Sequence, residues 1–268
     1  MTTGLEGKWA LILGASSGFG AATALELARA GMNIIGVHLD RRATLPNAQR
    51  VIDEIQGMGR EALFFNKNAA DPKARAEVLD AVQERLNTAE TGQTIHMMMH
   101  SLAFGSLLPF IAPTPEEAIT QAQVEMTLNV MASSLVFWAQ DLFWRKLLGR
   151  GSRIFSMTSA GSYRAFKTYG AVSAAKAALE AYTRQLALEL GPYGVMVNCI
   201  EAGVTDTPAL RKIPGHEEMV AEATRRNPMG RLTTPQDIAN TIRALCDPYI
   251  TWINGTVIRV DGGEAITA

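Results

Sequence analysis

WALILGASSGFGAATALELARAG, residues 9–31, decides the fold. WALILG is an apolar run of strand length, and AATALELARAG is a helical stretch closed by Gly31. Between them lies Gly14-Ala15-Ser16-Ser17-Gly18-Phe19-Gly20. Glycines without β-carbons tighten such a turn and let backbone N–H groups approach a pyrophosphate at the helix N-terminus. A Gly-rich turn alone is weak evidence, since its plain reading is a tight strand-to-helix turn. Its place on the first strand of an alternating chain favours the phosphate-binding reading, with Gly14, Ser16, Ser17, Gly18, Phe19 and Gly20 as the cradle.

Working outward, the same alternation continues. Strands are expected at NIIGVHL, EALFFNKN, IHMMMHSLAF, SRIFSMTS, VMVNCIEAG and GTVIRVDGG, and helices at LPNAQRVIDEIQGMG and ARAEVLDAVQERLN. A long helical stretch is expected over roughly 115–148, and another over YGAVSAAKAALEAYTRQLALEL from Tyr169. Strands alternating with helices predict a single α/β domain over residues 1–268, a Rossmann-type doubly wound parallel sheet with helices on both faces. Ligands of such sheets bind at the carboxyl ends of the strands. Residues 204–230, rich in Thr, Pro and charge, read as an excursion, either a substrate lid or a plain surface loop.

The chain has 268 residues, 47% of them hydrophobic and 19% charged, with net charge −1. That length supports one large core, and the near-neutral balance implies neither a nucleic-acid partner nor a membrane surface. Cys199 and Cys246 have no CxxC spacing, and four scattered histidines give no metal-ligand pattern. A reducing, cytoplasmic compartment is expected. The N-terminal MTTGLEGKWALILGASSG has no signal-peptide pattern, and no run reaches membrane-spanning length.

Tyr169 and Lys176 bring the chemistry. Positions 169, 172 and 176 share one helical face, so a phenol and an ammonium can point into one pocket. The ammonium can stabilise a phenolate or donate to a ribose, tuning the Tyr as proton donor or oxyanion partner. Position 172 is Val, so the phenol on this face comes from Tyr169.

Taken in order along the chain, these motifs resemble the short-chain dehydrogenases/reductases. GASSGFG is similar to that family's GxxxGxG fingerprint, and AGVTDT at 202–207 to its PGxxxT, with Ala for Pro. NPMGRLTTPQDIA and VDGG are also similar to the family. The resemblance implies that Asn68 lies near the adenine and Thr207 near the nicotinamide or phosphates. It further implies that Asn129 supports a relay water, and that Ser159 and Lys176 are catalytic. Two departures narrow it. Val172 replaces the Tyr of the usual Tyr-x3-Lys, and His100-Ser101-Leu102-Ala103-Phe104 replaces the usual NNAG. Tyr-x6-Lys with such a segment resembles the enoyl-acyl-carrier-protein reductases, and Asn129 with Ser159 resembles their NADPH-dependent subgroup. Ser101 is then a cofactor contact.

In an enoyl thioester the oxygen that becomes negative lies two carbons farther from the hydride acceptor than in a ketone. Three residues along a helix advance a side chain by about 4.5 Å on nearly the same face, a shift of the right direction and scale. The resemblance implies hydride transfer from NADPH to the β-carbon of a trans-2-enoyl thioester on acyl-carrier protein or coenzyme A, in fatty-acid synthesis. It implies a homotetramer, with the faces around Phe137, Trp138 and Leu142 compatible with subunit contact. Phe104 and Tyr163 are expected at the substrate pocket. Register from Gly31 puts His38 at the ribose-selecting position, followed by Asp40, Arg41 and Arg42. Two adjacent guanidiniums suit a 2′-phosphate, favouring NADPH over NADH, although Asp40 complicates the site. The alternatives are a carbonyl reductase acting on 3-oxoacyl, steroid or sugar substrates, against which Val172 counts, and a catalytically silent NADP-binding protein.

Overall fold

The computed structural model describes residues 4–87 and 92–267; the first three residues of the N-terminal stretch read above lie outside it. Its centre is a seven-stranded parallel sheet: β1 (Trp9–Leu13), β2 (Asn33–His38), β3 (Ala62–Asn66), β4 (Ile95–His100), β5 (Leu148–Ser159), β6 (Met196–Ala202) and β7 (Val257–Val260). The order is β3-β2-β1-β4-β5-β6-β7. The chain runs outward through β2 and β3, then returns to place β4 on the other side of β1, with Leu13 opposite His100. The carboxyl ends of β1 and β4 form the switch point, where a doubly wound sheet opens a crevice.

Alternate residues of each strand feed two cores, as the two-residue period of a strand requires. Trp9, Leu11, Leu13, Met98 and Ile154 face one layer with α5 (Ser134–Trp144) and α6 (Gly170–Leu190). Ala10, Ile12, Met97, Met99 and Phe155 face the other with α1 (Gly18–Arg29) and α8 (Pro235–Leu245). The strands are buried on both faces, hence near-continuous apolar runs such as WALIL and MMM. The remaining helices are α2 (Leu45–Gly57), α3 (Pro72–Asn87), α4 (Gln121–Leu128) and α7 (His216–Arg226).

Two expectations need correction. The stretch at 115–148 is not one helix. A 3₁₀ turn at Pro115–Glu117 precedes α4, which starts on a Thr120–Gln123 capping box; a π turn over Asn129–Ser133 then separates α4 from α5, and β5 begins at Leu148. Helical periodicity survives such a bulge, so the sequence pattern does not reveal it. The Phe137–Trp138–Leu142 face is also not one surface. Trp138 and Leu142 are fully buried, and the Trp138 indole donates to the Ala69 carbonyl at 2.8 Å. Only Phe137 and Trp144 of this helix present large apolar surface outward.

Residues 204–230 contain a 3₁₀ turn, Leu210–Lys212, and α7. Both ends are tied to one buried carboxylate: Glu264 accepts from Val204 N at 2.9 Å and lies 3.8 Å from Arg226 Nη2.

Candidate active site

The Gly-rich loop leaves β1 at the switch point. Gly14 has φ +93°, and a β-carbon there would lie 2.5 Å from the Ser101 carbonyl oxygen. At Gly20 it would lie 2.1 Å from Gly14 O. No side chain fits either place, so the loop presents bare backbone before the first turn of α1, the shape a phosphate group requires. Ser101 N donates to Leu13 O at 2.9 Å, so Ser101 flanks the cradle through its backbone. Thr207 closes another side, its methyl 3.7 Å from where a Gly18 β-carbon would be. Ser17 caps α1 in an extended conformation, and Phe19 packs half-buried on the α1–α8 core.

The end of β2 differs from expectation in detail. His38 is buried, and its Nδ1 lies 2.8 Å from Asp40 Oδ2. Burial pushes the Asp40 carboxyl up, but hydrogen bonds from Thr44, Ser16 and His38 more than offset it, leaving the group more acidic than usual. Asp40 therefore pairs with His38 and the Gly-rich loop, not with an arginine. Arg41 and Arg42 are exposed and form no ion pair among the described residues. Asn68 is exposed after β3, its amide oxygen accepting from Ala70 N at 3.0 Å.

Ser159 ends β5, Tyr169 is the N-cap of α6, and Lys176 lies two turns into that helix. The helix thus starts one residue later than expected. Burial raises the Tyr169 phenol above its usual range, and a hydrogen bond with Ser159 partly offsets the shift. The ring is held on several sides. A β-carbon at Gly161 would lie 2.6 Å from Tyr169 Cε1, and the Phe166 ring meets Tyr169 edge-on at 6.0 Å and 89°. Val172 is buried beneath the β4–α4 connection, 3.1 Å from a β-carbon built at Gly105. A Tyr at 172 would have to displace that connection.

Lys176 is buried and donates to the Met157 carbonyl at 2.6 Å. Burial brings its pKa down to about 8, with Cys199 and Glu180 partly offsetting. Beneath it lies a buried polar set: Ser156 donates to Cys199 Sγ at 3.1 Å and lies 2.9 Å from Thr183 Oγ1. His100, also buried, is driven down to about 3 by burial and then by Lys176, so it is neutral at ordinary pH. Its Nε2 lies 2.8 Å from Ser134 Oγ, which donates to Val130 O in the π turn. Asn129 opens that turn and is exposed.

Phe104 is exposed on the β4–α4 connection, together with Phe110 and Ile111. Tyr163 is tied elsewhere: its hydroxyl donates to the buried Glu201 at 2.7 Å, and Arg259 Nε donates to the same carboxylate at 3.1 Å. The structure thus brings together Ser159 and Tyr169, and separately Gly14, Gly18, Gly20, Ser101 and Thr207, while the Lys176 ammonium lies on the Met157 carbonyl two residues before Ser159. Sequence reasoning missed Gly161, Phe110, Phe166 and the Asp40–Ser16 contact. Only Phe166, three residues before Tyr169, had a spacing that could have flagged it. Among the described residues no cluster of His, Cys, Asp or Glu could hold a metal ion, and no helix is long and apolar enough to cross a membrane.

Comparison with known proteins places the chain in a family. A family model described as Enoyl-(Acyl carrier protein) reductase matches residues 14–264. A 1-cyclohexenylcarbonyl-CoA reductase of Streptomyces collinus is 29% identical over 96% of this chain and 87% of its own length. The hydroxynaphthalene reductase-like protein Arp2 of Metarhizium anisopliae is 30% identical over 97% of this chain and 96% of its own. A short-chain dehydrogenase from Burkholderia cenocepacia, solved in complex with NADP, is 28% identical, covers 97% of this chain and 99% of its own, and superposes with a TM-score of 0.81. With the parallel sheet and the bare Gly-rich turn at its switch point, these matches make the chain a member of the short-chain dehydrogenase/reductase superfamily, within the family described as Enoyl-(Acyl carrier protein) reductase.

Proposed function

We propose that this chain is an NADPH-dependent reductase of trans-2-enoyl thioesters, carried on acyl-carrier protein or coenzyme A, in fatty-acid synthesis. One observation carries the reading. The phenol that meets Ser159 comes from Tyr169, seven residues before Lys176, while position 172 is a buried Val under Gly105. The name of the Streptomyces collinus relative, a reductase of an enoyl-CoA, supports the substrate class.

The dinucleotide, when bound, would supply hydride to the β-carbon, and solvent would supply the proton that the α-carbon takes as the enolate collapses. Gly14, Ser16, Ser17, Gly18, Phe19, Gly20, Ser101 and Thr207 hold its phosphates and nicotinamide end, and Asn68 flanks the adenine. Arg41 and Arg42, exposed and without ion pairs among the described residues, receive a 2′-phosphate beside His38. Lys176 donates to the ribose hydroxyls from its place on the Met157 carbonyl. The Tyr169 hydroxyl, kept protonated by burial, donates to the thioester oxygen as negative charge gathers there. Ser159 orients that hydroxyl, and Asn129 holds a relay water. Phe166, edge-on against Tyr169, and the exposed Phe104 and Phe110 of the β4–α4 connection offer apolar surface suited to an acyl group. Tyr163 serves the wall through Glu201. A homotetramer and a cytoplasmic setting complete the proposal, consistent with outward-facing Phe137 and Trp144 and two buried free cysteines.

The test is NADPH oxidation with crotonyl thioester beside acetoacetyl thioester, and with NADH as control. Turnover of the enoyl substrate alone is expected. The second reading, a carbonyl reductase, is favoured by the name of the Metarhizium relative and predicts turnover of the 3-oxo substrate instead.

A further inference from the structure

Two non-glycine residues among those described have positive φ: Lys146 at +58° and Thr168 at +61°. Lys146 has an ordinary reason. It follows the C-cap of α5, with Lys146 N donating to Phe143 O and Leu147 N to Leu142 O, the bond pair that ends a helix through a left-handed residue. Thr168 has no such reason. It precedes a helix, and it is β-branched, the side-chain type that tolerates the left-handed region worst.

Thr168 is the third residue of a turn closed by Tyr169 N donating to Phe166 O at 3.2 Å. A left-handed residue at that place favours Gly or Asn. The Thr168 hydroxyl donates only to the carbonyl of its neighbour, Lys167, at 2.7 Å. The surroundings instead hold the turn. Phe166 packs edge-on against the Tyr169 ring, Gly161 abuts the other part of that ring, and the Phe110 ring lies 2.6 Å from where a Gly170 β-carbon would be. Strain of this kind persists only where neighbouring structure over-determines it, and it concentrates where geometry matters to function.

We infer that Thr168 is a positioning residue, whose left-handed backbone aims the Tyr169 hydroxyl at Ser159. The inference rests on the reading of Tyr169 as the hydrogen-bond donor to substrate. It predicts an order of variants that side-chain packing would not give. Asn differs from Thr in shape but accepts the left-handed region, whereas Pro, with φ fixed at about −65°, cannot enter it.

The experiment compares Thr168→Asn, Thr168→Pro and Tyr169→Phe. In cofactor-free protein, phenol ionisation is followed by ultraviolet absorbance, and the Tyr169 contribution is taken by subtracting the Tyr169→Phe titration. Enoyl-thioester turnover and NADPH affinity are measured on the same samples. Thr168→Asn is expected to keep the raised Tyr169 ionisation and turnover within about twofold of the parent. Thr168→Pro is expected to move the Tyr169 ionisation down towards about 10 and to lower kcat by about tenfold, with NADPH affinity unchanged. A Pro variant like the parent in both readouts, or an Asn variant as damaged as the Pro one, overturns the inference. Full turnover by Tyr169→Phe would instead remove the catalytic reading of Tyr169, while the phenol titration would still decide whether Thr168 positions it.

Discussion

Gly161→Ala is the sharpest perturbation of this site. Gly161 has ordinary backbone angles, so the substitution adds a methyl group without left-handed strain. That methyl would sit 2.6 Å from Tyr169 Cε1 and 3.2 Å from Ser159 Oγ. Carbon atoms rest about 3.5–4.0 Å apart, so the ring must retreat by about 1 Å. Phe166 stands edge-on against the same ring, and relief therefore comes by lifting the hydroxyl from Ser159. A misplacement of about 1 Å at a reacting group can cost about 100-fold in rate. Overpacking costs about 1–3 kcal/mol, and a chain of this size loses about 2–4 °C in melting midpoint per kcal/mol. The assay is steady-state turnover of crotonyl thioester with a thermal melt on the same preparation. Gly57→Ala is the control, because a β-carbon at Gly57 meets nothing within 4 Å. Turnover within twofold of the parent for Gly161→Ala, in a folded protein, would refute the claim that the Tyr169 hydroxyl must meet Ser159.

The remaining predictions concern the cofactor side and the fold. Lys176 ionises at about 8 when folded, below the roughly 10.4 of an unfolded lysine. NADPH binding should therefore weaken as pH rises through about 8 and the ammonium is lost. In the cofactor-free chain the same shift has the opposite sign: the buried ammonium destabilises the fold below about pH 8, and the penalty lifts between about 8 and 10.4. Melts at pH 7 and pH 10 should show this gain in the parent and lack it in Lys176→Met. The Arg41→Ala/Arg42→Ala variant should lose NADPH affinity while keeping NADH binding, and equal loss of both would remove the phosphate clamp. Asp40→Asn, which removes the negative charge facing Ser16, should raise NADPH affinity relative to NADH by roughly three- to tenfold in a binding titration. Glu264→Ala should free both ends of 204–230, seen as faster amide exchange at Val204 and across α7 with little change in the sheet.

Much of this protein is written in local sequence. The alternation of apolar runs with helical stretches fixes a parallel sheet, because strands buried on both faces must be apolar throughout and their crossovers must be helical. The Gly14–Gly20 loop follows from residues that can turn tightly without β-carbons, and the spacing of Tyr169 and Lys176 follows from one helix that has Tyr169 at its N-cap and Lys176 two turns in. Other features depend on what the topology brings alongside. Asp40 meets Ser16 only because β2 lies beside β1, and Trp138 is buried because Ala69 from the β3–α3 turn accepts its indole proton. The π turn at Asn129–Ser133 leaves no mark on an apolar period, and the left-handed Thr168 contradicts its own residue preference. Sequence determines which segments form strands and helices, since that choice is made over a few residues. The aim of the Tyr169 hydroxyl was decided by tertiary structure, because Ser159 is fixed at the end of β5 by its pairing with Ala202 of β6, and Gly161 just beyond it bears on the Tyr169 ring.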